Sequence, residues 1–466
     1  MCGNAGAFGV PNASTKVAKM LKATQHRGQE GVGIVSAHGK RMFRERGLGL
    51  VAEVFKGFNF EASLPGDRAI GHVRYPTSSA SVRSSVQPYF TMTPYGKLAL
   101  GHNGTITNCR SLATDLALSG ELVGAIPDTE MMGRHIACNA GGDWTSRLRR
   151  TFGCIEGAYS VVALAEDGTA LAAVDPYGFR PLMAVRCGDG YLVASETAAF
   201  APLKGRLVGE PWAIAPGTIE TYRPDGRDVR RFARHRQTRY CSFELVYFAR
   251  PDSIVYGLWG SQIRRALAER LAARFPQEGA DLAVGVPNSA SHFGLYYAQA
   301  SGLHFDLGIS RNNYAGRVFI TPGQAAREEG VREKFNVDES IVRGRSVVVV
   351  DDSLIRGTTS RELTLMLRRA GAREVHWRIP SPLVPFSCHW GIATHEVELL
   401  VASRMTEDQI CGLIGADSLR FQTMEDYRAG LGDPDGTRFC YACFDGESPV
   451  PEHEPPCADC AGCADG

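Results

Sequence analysis

Three hydrophobic rhythms succeed one another along this chain. Near the start, Val17, Met20, Leu21 and Thr24 fall at helical spacing after Ser14, which predicts an amphipathic helix. From about residue 155 to 235 the pattern turns to short apolar runs at 159–165, 170–174, 183–186, 191–195 and 218–222. Gly, Pro and Asp separate them, as in antiparallel strands joined by tight turns. Beyond residue 240 helical and strand signals alternate. Ile263, Leu267, Leu271 and Phe275 predict a helix, 282–286 a strand, and the four consecutive valines at 347–350 a second strand. A run of β-branched residues without polar alternation is buried on both faces, which puts it at the centre of a parallel sheet.

That valine strand ends in Asp351 and Asp352. A Gly and hydroxyl-rich turn follows, and then a helix carried by Leu363, Met366, Leu367 and Ala370, for which Thr359 and Glu362 have the spacing of a capping box. Backbone N–H groups at such a helix start, with the hydroxyls of Thr358, Thr359 and Ser360, form an anion cradle at the carboxyl end of the strand, where open α/β sheets bind ligands. The paired carboxylates add hard oxygens suited to a diol or to a magnesium ion carried by a polyphosphate.

Composition narrows the classes. A chain of 466 residues is too long for one core and predicts two or three domains, while 44% hydrophobic and 22% charged residues are ordinary for a globular protein. The net charge of +1 provides no global field for nucleic acid or an anionic membrane, so any anion site is local. No apolar run spans a bilayer and the start lacks a signal pattern, which leads to the expectation of a cytoplasmic protein. The 13 cysteines are then read as metal ligands or reactive thiols in preference to disulfides. The charged stretch 223–239 is the expected boundary between a first domain at 2–235 and a second at 240–445. The tail 446–466, with Cys457, Cys460 and Cys463 in a Pro and acid-rich context, is expected to be disordered.

Motifs sharpen this outline. Removal of Met1 would give Cys2 a free α-amine that can act as base for its own thiol. Further on come Gln25-His26-Arg27-Gly28-Gln29-Glu30-Gly31, Gly71-His72-Val73-Arg74-Tyr75, His102-Asn103-Gly104 and Asp128-Thr129-Glu130. Together these resemble the glutaminase half of the N-terminal nucleophile amidotransferases. The resemblance implies stacked antiparallel sheets between helices, with Cys2 as nucleophile, Arg74 on the glutamine carboxylate, Asp128 on its amino group, and Asn103 with Gly104 as oxyanion hole.

The Val-Val-Val-Val-Asp-Asp-Ser-Leu-Ile-Arg-Gly-Thr-Thr-Ser string resembles the type I phosphoribosyltransferases. That resemblance implies a phosphoribosyl pyrophosphate site from Asp351, Asp352, Ser353, Arg356, Gly357, Thr358, Thr359 and Ser360. It also puts Ser289, in the loop Pro287-Asn288-Ser289-Ala290-Ser291, with Asp351 and Asp352 at a magnesium ion. The basic, glycine-punctuated stretch 312–336 reads as a lid over the anion.

Cys241, Cys388, Cys440 and Cys443 have spacing that fits zinc or no metal at all. Both halves in this order resemble the amidophosphoribosyltransferase family, and the contexts of these four cysteines resemble its iron–sulfur-containing branch. The resemblance implies a [4Fe–4S] cluster on them, glutamine and phosphoribosyl pyrophosphate as substrates, purine nucleotides as inhibitors and a homotetramer. The chain departs from the family at Asn4-Ala5, at 78–81, at Asn288, and at Arg311 and Asn313. Two alternatives therefore stand beside the purine-synthetic reading: a paralogue with the same half-reactions in a specialised pathway, and a non-catalytic sensor of phosphoribosyl pyrophosphate.

Overall fold

The computed structural model describes residues 2–75, 82–120, 126–139, 141–223, 226–234, 236–312, 324–392 and 397–450. The expectations for 78–81, Asn313 and the tail cysteines lie outside these residues.

In the first half two antiparallel sheets stack face to face. One has seven strands in the order Leu207–Ala213, Met183–Cys187, Gly190–Ala194, Gly3–Phe8, Arg68–Arg74, Gly31–His38, Arg41–Leu48. The other has six, in the order Gly226–Arg231, Thr218–Arg223, Ala170–Val174, Gly157–Ala165, Gly96–Ile106, Tyr89–Thr93. Phe8, Val35 and Ile70 from one sheet meet Val162, Leu164 and Ala172 from the other in a buried layer. On the outer face of the first sheet lies the helix Ala13–Ala23, burying Val17, Met20 and Leu21. Asp128–Cys138 and Trp144–Cys154 cover the second, through Met132, Ile136, Leu148 and Phe152. The layering is αββα, as expected.

The second half is built on a parallel sheet in the order His304–Phe305, Leu282–Gly285, Ser346–Val350, Glu374–Ile379, Ser418–Phe421. The valine strand is central, and all four valines are fully buried. Each such side chain contributes about 1.5–3 kcal/mol by leaving water, so this strand anchors the carboxylates at its end.

Three expectations need correcting. The helix after the turn runs Thr358–Arg369 and its N-cap is Gly357, with no side-chain cap bond. Glu362 is instead buried and accepts from Arg332 Nε at 2.9 Å, so a cross-element ion pair takes the carboxylate away from the capping box. Within 223–239, Gly226–Arg231 is an edge strand paired with Thr218–Arg223. Its charged side chains are those of a solvated edge, which the absence of apolar periodicity concealed. Finally, part of the supposed lid is regular: Gln324–Lys334 is a helix and Phe335–Val337 a strand, tied down by buried Val331 and Phe335.

Candidate active sites

The expected glutaminase residues converge where the two antiparallel sheets meet. Cys2 precedes the central strand Gly3–Phe8, and its backbone nitrogen donates to Asn103 Oδ1 at 3.1 Å. The Tyr75 N–H lies 3.5 Å from Cys2 Sγ, a backbone donor aimed at the sulfur. Asn103 is 1% exposed, and its Nδ2 is a buried donor with no acceptor among the described residues. A buried N–H left unpaired costs about 1–3 kcal/mol unless something fills the place, and a developing oxyanion on a substrate carbonyl is such a partner. The adjacent Gly104 has φ +151°, and a Cβ there would collide with the Ala158 carbonyl. Only glycine fits.

Arg74 closes the strand Arg68–Arg74 and points its Nε at Glu30 Oε2, 2.9 Å away, and its Nη1 at the Ser85 carbonyl, 2.6 Å away. Gly28 lets the intervening backbone pass, since a Cβ would approach the Arg74 carbonyl to 2.5 Å. Asp128 starts its helix and sits 3.7 Å from His102 Nδ1. Burial opposes its charge, but His102 and the Thr129 N–H outweigh that and hold the carboxyl below its usual range. His102 is itself fixed, with Nδ1 3.1 Å from Thr129 Oγ1, its N–H donating to Gln87 Oε1 at 2.7 Å and its carbonyl 3.2 Å from His72 Nε2. Burial, with His102 and Arg74 nearby, pushes His72 down to about 3, so it is neutral. The departure at Asn4 is accommodated: its side chain donates to the Ser160 carbonyl at 2.9 Å and its N–H to Ser195 Oγ at 2.9 Å, tying the sheets together.

At the carboxyl end of the parallel sheet, Asp351 and Asp352 follow the valine strand and are both buried. Burial, then the charge of Asp352, drives the Asp351 carboxyl well up. Burial also raises Asp352, against the opposing effects of the Ser289 and Ser353 hydroxyls, Arg264 and Lys334. Ser353 Oγ donates to Asp352 Oδ1 at 2.7 Å. The structure thus brings Ser289 to the acid pair, while Asn288 beside it is exposed. Gly357, at φ +73°, turns the chain so that Thr358, Thr359 and Ser360 open the following helix over the same edge, and Arg356 is exposed there. After the strand Ile309–Arg311, the Asn312 N–H donates to the Lys334 carbonyl at 2.8 Å. Arg264 went unnoticed in the sequence because it lies on a helix face otherwise apolar. It is 2% exposed, and its guanidinium donates to the carbonyls of Leu245, Ala249 and Ser289, at 3.3, 2.8 and 3.0 Å. Burial lowers its pKa to about 10, so it remains a cation behind the carboxylates.

Cys241, Cys388, Cys440 and Cys443 are gathered together. Cys241 and Cys440 are partners in a short parallel ladder between Tyr240–Cys241 and Phe439–Cys440. Burial, then the neighbouring cysteines, raises the thiols of Cys440 and Cys443. Burial also raises Cys241, with Arg180 opposing. Among the described residues no group of three or more His, Cys, Asp or Glu is arranged around a single metal ion. A tetrahedral ion would draw the four sulfurs onto one point, whereas an iron–sulfur cube puts each on a different iron and keeps them apart. The donor set, four thiols with the buried Arg180 guanidinium near Cys241 and Cys388, has the chemistry that a net-negative cluster would need.

Arg180 belongs to a fully buried ion network that the sequence did not announce. Arg27 joins Glu196, at 3.2 Å, to Glu244, and Glu244 in turn faces Arg180 at 3.9 Å. The Gln25 to Gly31 motif contains Arg27, but its partners are far away in the chain and carry no local signal.

Residues 72–202 match the model of a glutamine amidotransferase domain. Amidophosphoribosyltransferase 2 of Arabidopsis thaliana is 39% identical over 96% of this chain and 79% of its own length. The amidophosphoribosyltransferase of Bacillus subtilis is 38% identical over 96% and 94%. This chain belongs to the amidophosphoribosyltransferase family. A solved glutamine phosphoribosylpyrophosphate amidotransferase from B. subtilis, complexed with ADP and GMP, superposes with a TM-score of 0.89 at 36% identity, covering 99% of this chain and 100% of that one. The amidophosphoribosyltransferase fold thus accounts for both halves: an N-terminal nucleophile amidotransferase fold followed by a phosphoribosyltransferase fold on its parallel sheet. No helix among the described residues is long and apolar enough to cross a membrane.

Proposed function

We propose that this protein transfers the amide nitrogen of glutamine to C1 of phosphoribosyl pyrophosphate, giving 5-phosphoribosylamine, glutamate and pyrophosphate, the first step of purine synthesis. One observation carries the reading: a buried Asn103 amide beside Cys2, without an acceptor among the described residues, shares a chain with a buried acid pair at the end of a parallel strand. A sensor of phosphoribosyl pyrophosphate has no use for the first of these.

In this reading the Cys2 thiolate attacks the side-chain carbonyl of glutamine, while Arg74 binds the α-carboxylate and Asp128 the α-ammonium. The oxyanion is met by Asn103 Nδ2 and the Gly104 N–H. The intermediate collapses with loss of ammonia, and water then hydrolyses the glutamyl thioester to glutamate and free thiol. In the second half Asp351 and Asp352 hold the ribose hydroxyls, and the turn from Ser353 and Arg356 to Gly357, Thr358, Thr359 and Ser360 holds the 5-phosphate. Ammonia attacks C1 and pyrophosphate leaves. A magnesium ion near Ser289, Asp351 and Asp352 would neutralise the departing pyrophosphate. The domain division at 2–235 and 240–445 follows from the same assignment.

The finer reading places the protein in the iron–sulfur branch, with Cys241, Cys388, Cys440 and Cys443 as cluster ligands. Anaerobically purified protein should then be brown, with about four irons per chain; colourless, active, zinc-containing protein would refute it. The reading further includes a cytoplasmic homotetramer inhibited by purine nucleotides. Its solution mass and the effect of added ADP and GMP test these points. The main test is a coupled assay of glutamate and pyrophosphate release with glutamine present and absent. Pyrophosphate without amine formation, or glutamate release indifferent to phosphoribosyl pyrophosphate and ammonium, rejects the linked reaction.

A further inference from the structure

A loop of the second half presses on the strand that carries Gly104. This loop, 386–391, contains Cys388. Its Trp390 carbonyl accepts from Arg180 Nε at 3.0 Å and from Nη2, and the Trp390 ring stacks on Phe179 with centroids 4.8 Å apart and planes 11° apart. The next residue, Gly391, has φ +104°. A methyl group on it would lie 3.0 Å from Nε and Nη2 of Arg180 and 3.2 Å from the Gly104 Cα. Gly104 is therefore closed on one side by the Ala158 carbonyl of its own sheet and touched on another by a loop from the other half.

The same corner is braced from behind Cys2. Glu244, which follows Cys241 closely, holds Arg27 through Oε1 and faces Arg180 through Oε2. The stem of Arg27 packs against Gly3, where a Cβ would sit 3.3 Å from Arg27 Cβ and Cδ. One carboxylate of the second half thus anchors the arginine behind the nucleophile and the arginine behind the oxyanion strand. All four charged groups of the network, Arg27, Arg180, Glu196 and Glu244, are fully buried. A broken pair would leave an uncompensated charge, so the network holds its geometry stiffly.

We propose that the 386–391 loop is a positioning element of the glutaminase: Gly391 against Gly104, and the Trp390 carbonyl on Arg180, set the place of the oxyanion hole. The inference rests on the reading of Asn103 and Gly104 as that hole. A donor displaced by a fraction of an ångström still admits glutamine but meets the tetrahedral intermediate poorly, so the loss falls on kcat and spares KM.

The test is Gly391→Ala in the full-length protein, assayed with glutamine and separately with ammonium, beside Asn103→Ala. Gly391→Ala should lower kcat for glutamine hydrolysis by roughly ten- to a hundredfold with KM for glutamine within about twofold. Synthesis from ammonium should stay at its original rate. Affinity for an aldehyde analogue of glutamine, which forms a tetrahedral adduct with the thiol, should fall in parallel with kcat, whereas affinity for glutamate should not. Unchanged kcat, an effect on KM alone, or equal loss of both activities would overturn the proposal. Should Gly391→Ala fail to fold, Phe179→Leu removes the stacking under Trp390 and should lower the same kcat roughly threefold; an unchanged kcat there overturns it equally. Full glutaminase activity in Asn103→Ala would bring down the oxyanion-hole reading itself, an outcome separate from a silent Gly391→Ala.

Discussion

Around Cys2 the arginines are matched by carboxylates, Arg74 with Glu30 and Arg27 with Glu196 and Glu244, while Asp128 lies beside the His102 ring. At the end of the parallel sheet two carboxylates crowd each other, with Arg264 and Lys334 offsetting only part of their repulsion. The first centre has its arginines matched by carboxylates in advance, and it keeps a neutral amide donor, Asn103 Nδ2, with no acceptor among the described residues. The second is left electrostatically short, in need of a cation or of hydroxyl donors. Glutamine arrives as a zwitterion and develops one transient negative charge, so a rigid, balanced pocket with one waiting donor suits it. A sugar diol bearing a magnesium pyrophosphate brings its own positive charge, and a strained acid pair binds it more tightly because the strain is relieved on binding.

The most drastic way to break the comparison is to remove one centre and leave the other. Cys2→Ala should lower glutamine-dependent synthesis by at least about 10³-fold yet leave ammonium-dependent synthesis intact, because only the nitrogen source is lost. Equal loss of both would mean that the centres are not separable. In the reverse direction, Asp351→Asn should reduce synthesis from either nitrogen source by about a hundredfold or more, with the Cys2 thiol still alkylated by a glutamine analogue.

That second variant also carries a stability signature. Asp351 has a folded-state pKa raised by burial and by Asp352, so the native protein binds more protons there than the unfolded chain. Its contribution to stability therefore declines as pH rises above the unfolded carboxyl value of about 3.9. Asparagine removes the penalty, and ligand-free Asp351→Asn should melt higher than the parent at pH 8. A lower Tm there would show that the pair is not strained. Glu196 gives the opposite sign. Burial would raise it, but Arg27, His26 and the Arg250 N–H hold it far below its usual value. Its contribution is complete above about pH 4.3 and is lost as pH falls further, so acid should loosen the first half before the second. Unfolding followed by probes in each half between pH 7 and 3 checks this order.

A milder perturbation acts within the paired centre. Glu30 orients Arg74 through a single 2.9 Å bond, and its Oε1 is buried with no donor among the described residues. Glu30→Gln keeps the shape but weakens the charge-assisted bond, and the KM for glutamine should rise roughly tenfold, as expected for such a bond. A change in kcat alone would place Glu30 in the chemical step.

The contrast also explains what could be read from the chain. The acid pair announced itself, since a strand of valines ending in two Asp and a hydroxyl turn is contiguous and its chemistry local. Cys2, Arg74, Asn103 and Asp128 were legible as scattered motifs, and the structure brings Cys2 to Asn103. The balancing groups were not legible. Glu30, His102 and Arg27 stood inside those motifs without a visible task, because their partners Arg74, Thr129, Glu196 and Glu244 are joined to them only by tertiary packing. Gly391 gave no signal at all, as a glycine in a loop differs from others only through what lies against it. The capping box failed for the same reason: Glu362 had a better partner in Arg332, which local spacing does not reveal.

The smallest expected effect sharpens the comparison most, because it reads charge without altering the protein. If Asp351 and Asp352 are held partly protonated in the free protein, binding a magnesium-loaded phosphoribosyl pyrophosphate favours their ionised form and expels protons. Calorimetry at pH 6 and pH 8 in buffers of different ionisation enthalpy should then detect net proton release that declines as pH rises, since more of the pair ionises beforehand. The ligand's own phosphate groups titrate in this range, so the Asp351→Asn variant supplies the baseline and should release less. Glutamine binding to the paired centre should release almost none at either pH, as Asp128 is already ionised and His72 already neutral. Equal proton release at both centres would mean that the acids are as well balanced as the arginines, and the electrostatic contrast between the two halves would fail.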